Sequence, residues 1–387
     1  MASRHLTHLI FFFGNKEIRS IGLIFFINSF LFGNWVTRIP DVKLAIGLSE
    51  AELGFTLLGA PIGALSIMPI AGWINHRLSL GRSIVFGSIL HILAPFVLSF
   101  AASFWGLALG MVFFGLTNSW MDIAMNSGAA ITEKKVERPV MSTCHGMWSL
   151  GAMVGAASGS LVLFFHVDVF THLLTVTIVG LLLLVFLVQS IFNIREELTQ
   201  GSKVFSLPNL RLLLLAVIGF CILLSEGAIA DWSALYMQED LNSPVVLVGL
   251  AYASYSFLMA IGRFSGDALI PMFGKRKVVF VGGILAAISL GLTLLMGNPY
   301  FSLIGFGLTG VGFSCVVPAI FSSAANEPGF SAGAGIASVT VISYSGFLIG
   351  PPLIGFLAES HGLTQALGLV VFLSLLVSLI AFLIKFK

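Results

Sequence analysis

Phe114-Gly115-Leu116-Thr117 recurs as Phe306-Gly307-Leu308-Thr309, 192 positions further on. Two other pairs keep nearly the same offset: Asn34-Trp35 against Asp231-Trp232 at 197, and Gly151-x-x-x-Gly155 against Gly346-x-x-x-Gly350 at 195. A four-residue match alone arises by chance. Three matches at offsets of 192 to 197 mark a duplicated unit of about half the chain.

The residues around these repeats suit lipid rather than water. The 387-residue chain is 57% apolar and 9% charged, where a soluble domain carries about 25% charged residues. Runs of about 20 residues with few charges, long enough to cross about 30 Å of hydrocarbon, begin near Glu17, Ala51, Ser83, Phe104, Val140 and Asp168. Six more begin near Arg211, Val245, Val278, Tyr300, Ser331 and Leu363. The expectation is an all-α integral membrane protein with twelve transmembrane helices in two pseudo-symmetric six-helix bundles. The bundles are assigned to 1–192 and 210–387. The least apolar internal stretch, Asn193 to Asn209 (NIREELTQGSKVFSLPN), is read as a cytoplasmic linker between them.

Charge gives an independent check. If the count of spans is right, Lys and Arg collect in alternate loops, and 17 of the 19 basic residues fall on the N-terminal side. Only Arg38 and Lys43 fall opposite. Both termini are therefore expected in the cytoplasm. The stretch before Lys16 lacks a small-residue cleavage site, so the first span itself is expected to direct insertion. The net charge of +2 is the excess of these loops and does not indicate nucleic acid. Cys144, Cys221 and Cys315 are isolated in apolar runs and are read as packing residues.

Twelve spans in two similar halves, cytoplasmic termini and a central linker resemble the major facilitator superfamily over the whole chain. A loop signature agrees in part. The family pattern G-x-x-x-D-R-x-G-R-R is met after the second span by Gly72 and Arg77, with His76 where Asp belongs. The second half is closer, with Gly262-Arg263, Gly266-Asp267 and then Gly274-Lys275-Arg276-Lys277. The resemblance implies that these loops lock the cytoplasmic ends of the halves, which the change at His76 puts in doubt for the first. Gly33-Asn34-Trp35, Asp122 to Asn126, His145 and Ser149 to Ala152 resemble a bacterial branch near the fucose permeases. The resemblance implies a multi-pass protein of the bacterial cytoplasmic membrane, working as a monomer without a cofactor. Gly155 is followed by Ala156, not by the proline that drug antiporters of the family carry in the fifth span.

Of the 17 acidic residues, only Asp122, Glu226 and Asp231 fall inside spans. An ionised group at mid-bilayer costs about 3 kcal/mol even on lenient scales, so it faces a cavity or a partner. Asn118, Asp122 and Asn126 are spaced i, i+4, i+8 and form one helical stripe. The second copy has Gly310, Ser314 and Pro318 there, so function is expected to be asymmetric. Asp122 and His145 are a candidate proton-coupling pair, or else a structural hydrogen bond. Glu226 is a candidate for both proton coupling and solute binding. Arg38 and Asp231, near the outer ends of the first and seventh spans, are a candidate gate pair. Asn28, Asn34, Asn118, Asn126, Trp35, Trp232 and Tyr344 are the further solute-binding candidates, with Trp148 and Tyr255 at similar depths.

The leading expectation is a secondary transporter of a small polar solute, sugar or polyol-like, driven by proton symport. The alternative is a drug or metabolite exporter whose cavity some of the 35 Phe and 12 Met residues would line. An intramembrane enzyme is the remote alternative, because the eight histidines are scattered and no H-E-x-x-H or G-x-x-x-x-G-K-[ST] string occurs. No metal site is expected.

Overall fold

A computed structural model describes residues 11–137, 140–192, 194, 209–330, 332–384 and 386, without the side chains at 72, 76, 142, 267, 268, 332–334 and 337. The linker expected at 193–209 lies outside the described residues except for Ile194 and Asn209. The loop-motif residues Gly72, His76 and Asp267 are described only as helix backbone.

Among the described residues the regular elements are helices throughout. Twelve spans are long and apolar enough to cross a membrane. In the first half they run Lys16–Ile46, Glu50–Ala71, Leu80–Leu98, Phe104–Val136, Thr143–Phe164 and Val169–Ile191. In the second they run Leu210–Asp240, Val245–Gly266, Lys275–Met296, Pro299–Ala325, Ser338–His361 and Leu363–Leu383. The sixth shows why such sequences fold only in lipid. His172, Leu173, Val176, Thr177, Gly180, Leu184 and Leu187 turn inward, while Ile178, Leu182, Val185 and Phe186 stay exposed. Both faces are apolar, so the exposed one needs a hydrocarbon solvent. Outside the span Asp168 caps this helix, accepting from Thr171 N at 2.9 Å. That bond holds its carboxyl below the usual carboxylate range.

The chain divides into two compact units: Met1–Ile46 with Gly59–Leu198, and Gly47–Leu58 with Thr199–Lys387. The same helix pairings occur in each. The first span packs on the fifth and the second on the fourth; likewise the seventh packs on the eleventh and the eighth on the tenth. The repeated motifs sit at these crossings. A side chain at Gly151 or Gly155 would run into the carbonyls of Phe26 and Phe30, and one at Gly346 into Phe220 O and Leu224 N. From the Phe-Gly-Leu-Thr pair, Gly115 lies against the backbone of Ala60, and Gly307 against Leu258 and the carbonyl of Ser254. Small residues let two backbones approach where lipid gives helices no hydrophobic reason to associate.

Two spans are broken. The tenth is a helix over Pro299–Phe313 followed by one over Val316–Ala325. Pro318 explains the site of the break, because its ring opposes the carbonyl four residues earlier, at Ser314. The second divides into helices Glu50–Leu57 and Gly59–Leu78. Its first helix, which the sequence assigns to the first half, belongs to the second unit. There Gly54 lies against Pro351 and Gly355 of the eleventh span, and Glu359 accepts from Ser49 Oγ at 2.7 Å and Ala51 N at 2.9 Å.

Arg263 needs a correction as well. Loop counting grouped it with Lys275, Arg276 and Lys277, but it lies inside the eighth span with 16% of its side chain exposed. The other described motif residues brace helix ends. Arg77 stacks over Trp73 at 5.6 Å, and Arg276 bonds to the carbonyls of Ala381 and Phe382 where the last span finishes. Lys275 opens the ninth span, and Gly266 faces Cys315 Sγ.

Candidate functional site

In the first unit the polar side chains of the spans form two networks. The first joins the first, fourth and fifth spans through Asn28, which is 2% exposed. Its Nδ2 donates to Asn118 Oδ1 at 2.9 Å, and its Oδ1 accepts from Trp148 Nε1 at 3.0 Å. Ser29 Oγ adds a bond to the Trp148 carbonyl. Asn118 and Trp148 are only partly buried, so this network reaches an accessible surface.

Asp122 lies one turn past Asn118. Its Oδ1 accepts from Asn126 Nδ2 at 3.0 Å, and the same amide reaches the Asp122 carbonyl at 2.9 Å. The partner the structure gives Asp122 is therefore Asn126 rather than the expected His145. The reason is local: an amide four residues on reaches its own helix without bridging to the fifth span. His145 is exposed and stands edge-on to Phe25, ring centroids 5.3 Å apart.

The second network centres on His172, which was not among the expected residues. Arg38, 3% exposed, donates from Nε to His172 Nδ1 at 2.8 Å. Its two terminal nitrogens reach Asp41 Oδ2 at 2.6 Å and Val167 O at 2.5 Å. A donor at Nδ1 leaves the ring proton on Nε2, where it meets Asn34 Oδ1 at 2.9 Å. Asn34 also accepts from Ser158 Oγ at 3.3 Å and donates to Phe30 O at 2.9 Å. Two expectations change here. Arg38, expected as a gate partner of Asp231, is engaged within its own unit through His172 and a carboxylate one turn along its helix. Asn34, 1% exposed and bonded at both ends of its amide, is an interior support and not a solute contact.

Trp35 and Trp232 are corrected in the same sense. They are 1% and 0% exposed, with neither indole N–H hydrogen-bonded. Rings sealed so completely are core.

In the second unit Glu226 occupies the middle of the seventh span. Its Oε2 lies 3.8 Å from Arg263 of the eighth, and its other oxygen, Oε1, is buried without a hydrogen-bond partner. Tyr252 and Tyr255, stacked with centroids 6.0 Å apart, lie within electrostatic reach of both charges. Tyr252 is bonded to Ser256, whereas the Tyr255 hydroxyl is buried without a partner. Gly310, beside the repeated tetrapeptide, lets the tenth span approach the carbonyl of Tyr255 and fixes its position. Tyr344, 37% exposed, stands edge-on to Phe347, whose ring fills the space beside Gly227. Asp231 is partly buried among its neighbours, about 140° round the helix from Glu226.

Arg263 and His172 escaped the sequence reading for different reasons. Arg263 sits in a run that also reads as topology-setting charge, and its apolar flanks were the available signal. His172 has no partner near it in sequence; Asn34 and Arg38 lie 138 and 134 positions away.

Doubled sets of six spans, with polar networks inside each unit, define a membrane transporter scaffold. The chain belongs to the Major Facilitator Superfamily, whose family model matches residues 21–326 and 215–387. It is 33% identical over 369 residues to the uncharacterized transporter y4wD of Sinorhizobium fredii, covering 95% of this chain and 98% of that one. It is 34% identical over 372 residues to membrane protein MosC of Rhizobium meliloti, covering 93% and 88%. Two solved structures share the fold. A bacterial homologue of the human lysosomal transporter Spinster, inward-facing and occupied, aligns with a TM-score of 0.73 at 15% identity, over 95% of both chains. The transporter FucP in its outward conformation aligns at 0.66 and 16% identity, over 95% of this chain and 99% of that one. The chain is thus a multi-pass transporter and not an enzyme.

Proposed function

We propose that the chain is a secondary active transporter that carries a small polar solute of sugar or polyol type by alternating access, in symport with protons. On this reading it works as a monomer in the bacterial cytoplasmic membrane, with both termini and the linker at 193–209 in the cytoplasm. The observation that carries it is the state of the intramembrane carboxylates. Glu226 leaves one buried oxygen unbonded, and Asp122 is bonded only by the neutral amide of Asn126. Carboxylates without full compensation are costly in a membrane unless they exchange protons or meet a ligand. Asn28, Asn118, Asn126 and Trp148 supply the amide and ring surface that hydroxylated solutes bind, and Tyr344 offers a second ring.

The proposal distinguishes itself from drug export by what moves. Purified protein in liposomes, given an inward proton gradient and a panel of labelled hexoses, hexitols and amphipathic drugs, is expected to accumulate a hexose or hexitol and no drug. Movement of the drugs alone would overturn it.

A further inference from the structure

We propose that Glu226, Arg263 and Tyr255 form the solute-binding cluster of the second unit, and that it takes an uncharged polyhydroxylated solute and rejects acids. The inference rests on the transport reading above and adds the exclusion of acids and two residues that bind the solute, Arg263 and Tyr255.

The cluster has two open atoms. Glu226 Oε1 and the Tyr255 hydroxyl are both buried without hydrogen-bond partners, and Tyr255 is only 3% exposed. Unlike the isolated indole N–H groups of Trp35 and Trp232, these two atoms stand together on neighbouring helices around one ion pair, an arrangement in which a single ligand can bond to both. The neighbouring hydroxyl makes the contrast, since Tyr252 is already bonded to Ser256.

The chemistry of the open atoms selects the ligand. A carboxylate oxygen accepts, and a phenol both donates and accepts. Adjacent hydroxyls on a sugar or polyol can donate to Oε1 and exchange a bond with Tyr255. An acid meets the wrong surface: the guanidinium is shared with Glu226 at 3.8 Å, and the unbonded oxygen repels a second carboxylate. The separation also exceeds a direct hydrogen bond, so a hydroxyl beside the pair can bridge Glu226 and Arg263 without breaking a tight contact. Arg263 is accordingly placed to hold Glu226 and to donate to the solute oxygen that enters. The stacked rings of Tyr252 and Tyr255 supply the apolar wall.

The test measures binding of labelled galactose, sorbitol and galacturonate to the full-length protein in nanodiscs, with liposome uptake of the same probes. An uncharged probe is expected to bind and galacturonate not. Tyr255→Phe keeps the ring and its packing, and is expected to weaken binding about tenfold, as the loss of one bond to a buried polar group does. Tyr252→Phe, which removes a hydroxyl already bonded within the protein, is expected to change affinity less than about twofold. Glu226→Gln, which removes the repelling charge and frees the Arg263 guanidinium, is expected to lose the preference against galacturonate. Wild-type affinity in Tyr255→Phe, or binding of galacturonate in place of the uncharged probes, would overturn the cluster while leaving sugar transport intact. Failure of every probe to bind or move would overturn the transport reading as well.

Discussion

Replacing His172 with alanine is expected to lower the stability of the folded transporter by about 3 kcal/mol, through a stripped buried charge and the cavity left behind. The imidazole joins Arg38 Nε to Asn34 Oδ1, with bonds of 2.8 and 2.9 Å, in a site where Arg38 is 3% exposed. Its removal leaves the Arg38 Nε donor without a partner and the Asn34 oxygen held only by Ser158 Oγ at 3.3 Å. Asp41 and Val167 continue to hold the other arms of the guanidinium, so the expected loss is large but short of complete unfolding. Glutamine at 172, with an oxygen for Arg38 and an amide for Asn34, is expected to recover part of it. Thermal unfolding in detergent of the two variants beside the wild type checks the order, and equal stability of all three would contradict it.

The glycine crossings predict a still larger loss. Gly155→Leu and Gly346→Leu each drive a side chain into the backbone of a neighbouring span, at Phe30 O in one unit and at Phe220 O in the other. A flexible side chain can move aside, but a helix carbonyl moves only with its helix. The expected cost exceeds about 3 kcal/mol in both cases, seen as loss of monodisperse protein after extraction. Gly368→Leu serves as the control, because nothing lies within 4 Å of the position a Cβ would take there. If Gly346→Leu extracts as well as Gly368→Leu, the crossing of the seventh and eleventh spans does not hold the second unit together.

Much of the fold was legible because lipid simplifies the code. A helix must satisfy its own backbone in hydrocarbon, so length and apolarity alone located twelve spans, and repeated tetrapeptides and glycine pairs identified equivalent crossings. The breaks were less visible. Pro318 and Pro61 stand four residues beyond Ser314 and Leu57, where the two spans break, but Gly54 and Gly355 meet only after the chain has folded.

The candidate site was legible in its residue types and not in its pairings. Asp122 and Glu226 stood out because carboxylates are rare in spans. Which partner each would take depends on helix rotation, which periodicity does not give. Arg38 therefore looked available for Asp231, and Asn34 for a solute, when His172 from the sixth span holds both. Trp35 and Trp232 looked like binding surfaces because depth was readable and facing was not. Arg263 was misplaced because a basic residue near a span end reads as a loop charge until its helix is seen to continue past it.

The central claim, that solute movement is linked to protons through the intramembrane carboxylates, is tested most directly by recording external pH. Liposomes containing the protein receive an inward gradient of the solute identified by uptake. The account predicts alkalinisation of the outside medium with wild-type protein, abolished in Glu226→Gln or in Asp122→Asn while both variants remain folded. Solute entry without any pH change, or alkalinisation that persists in both variants, would contradict it.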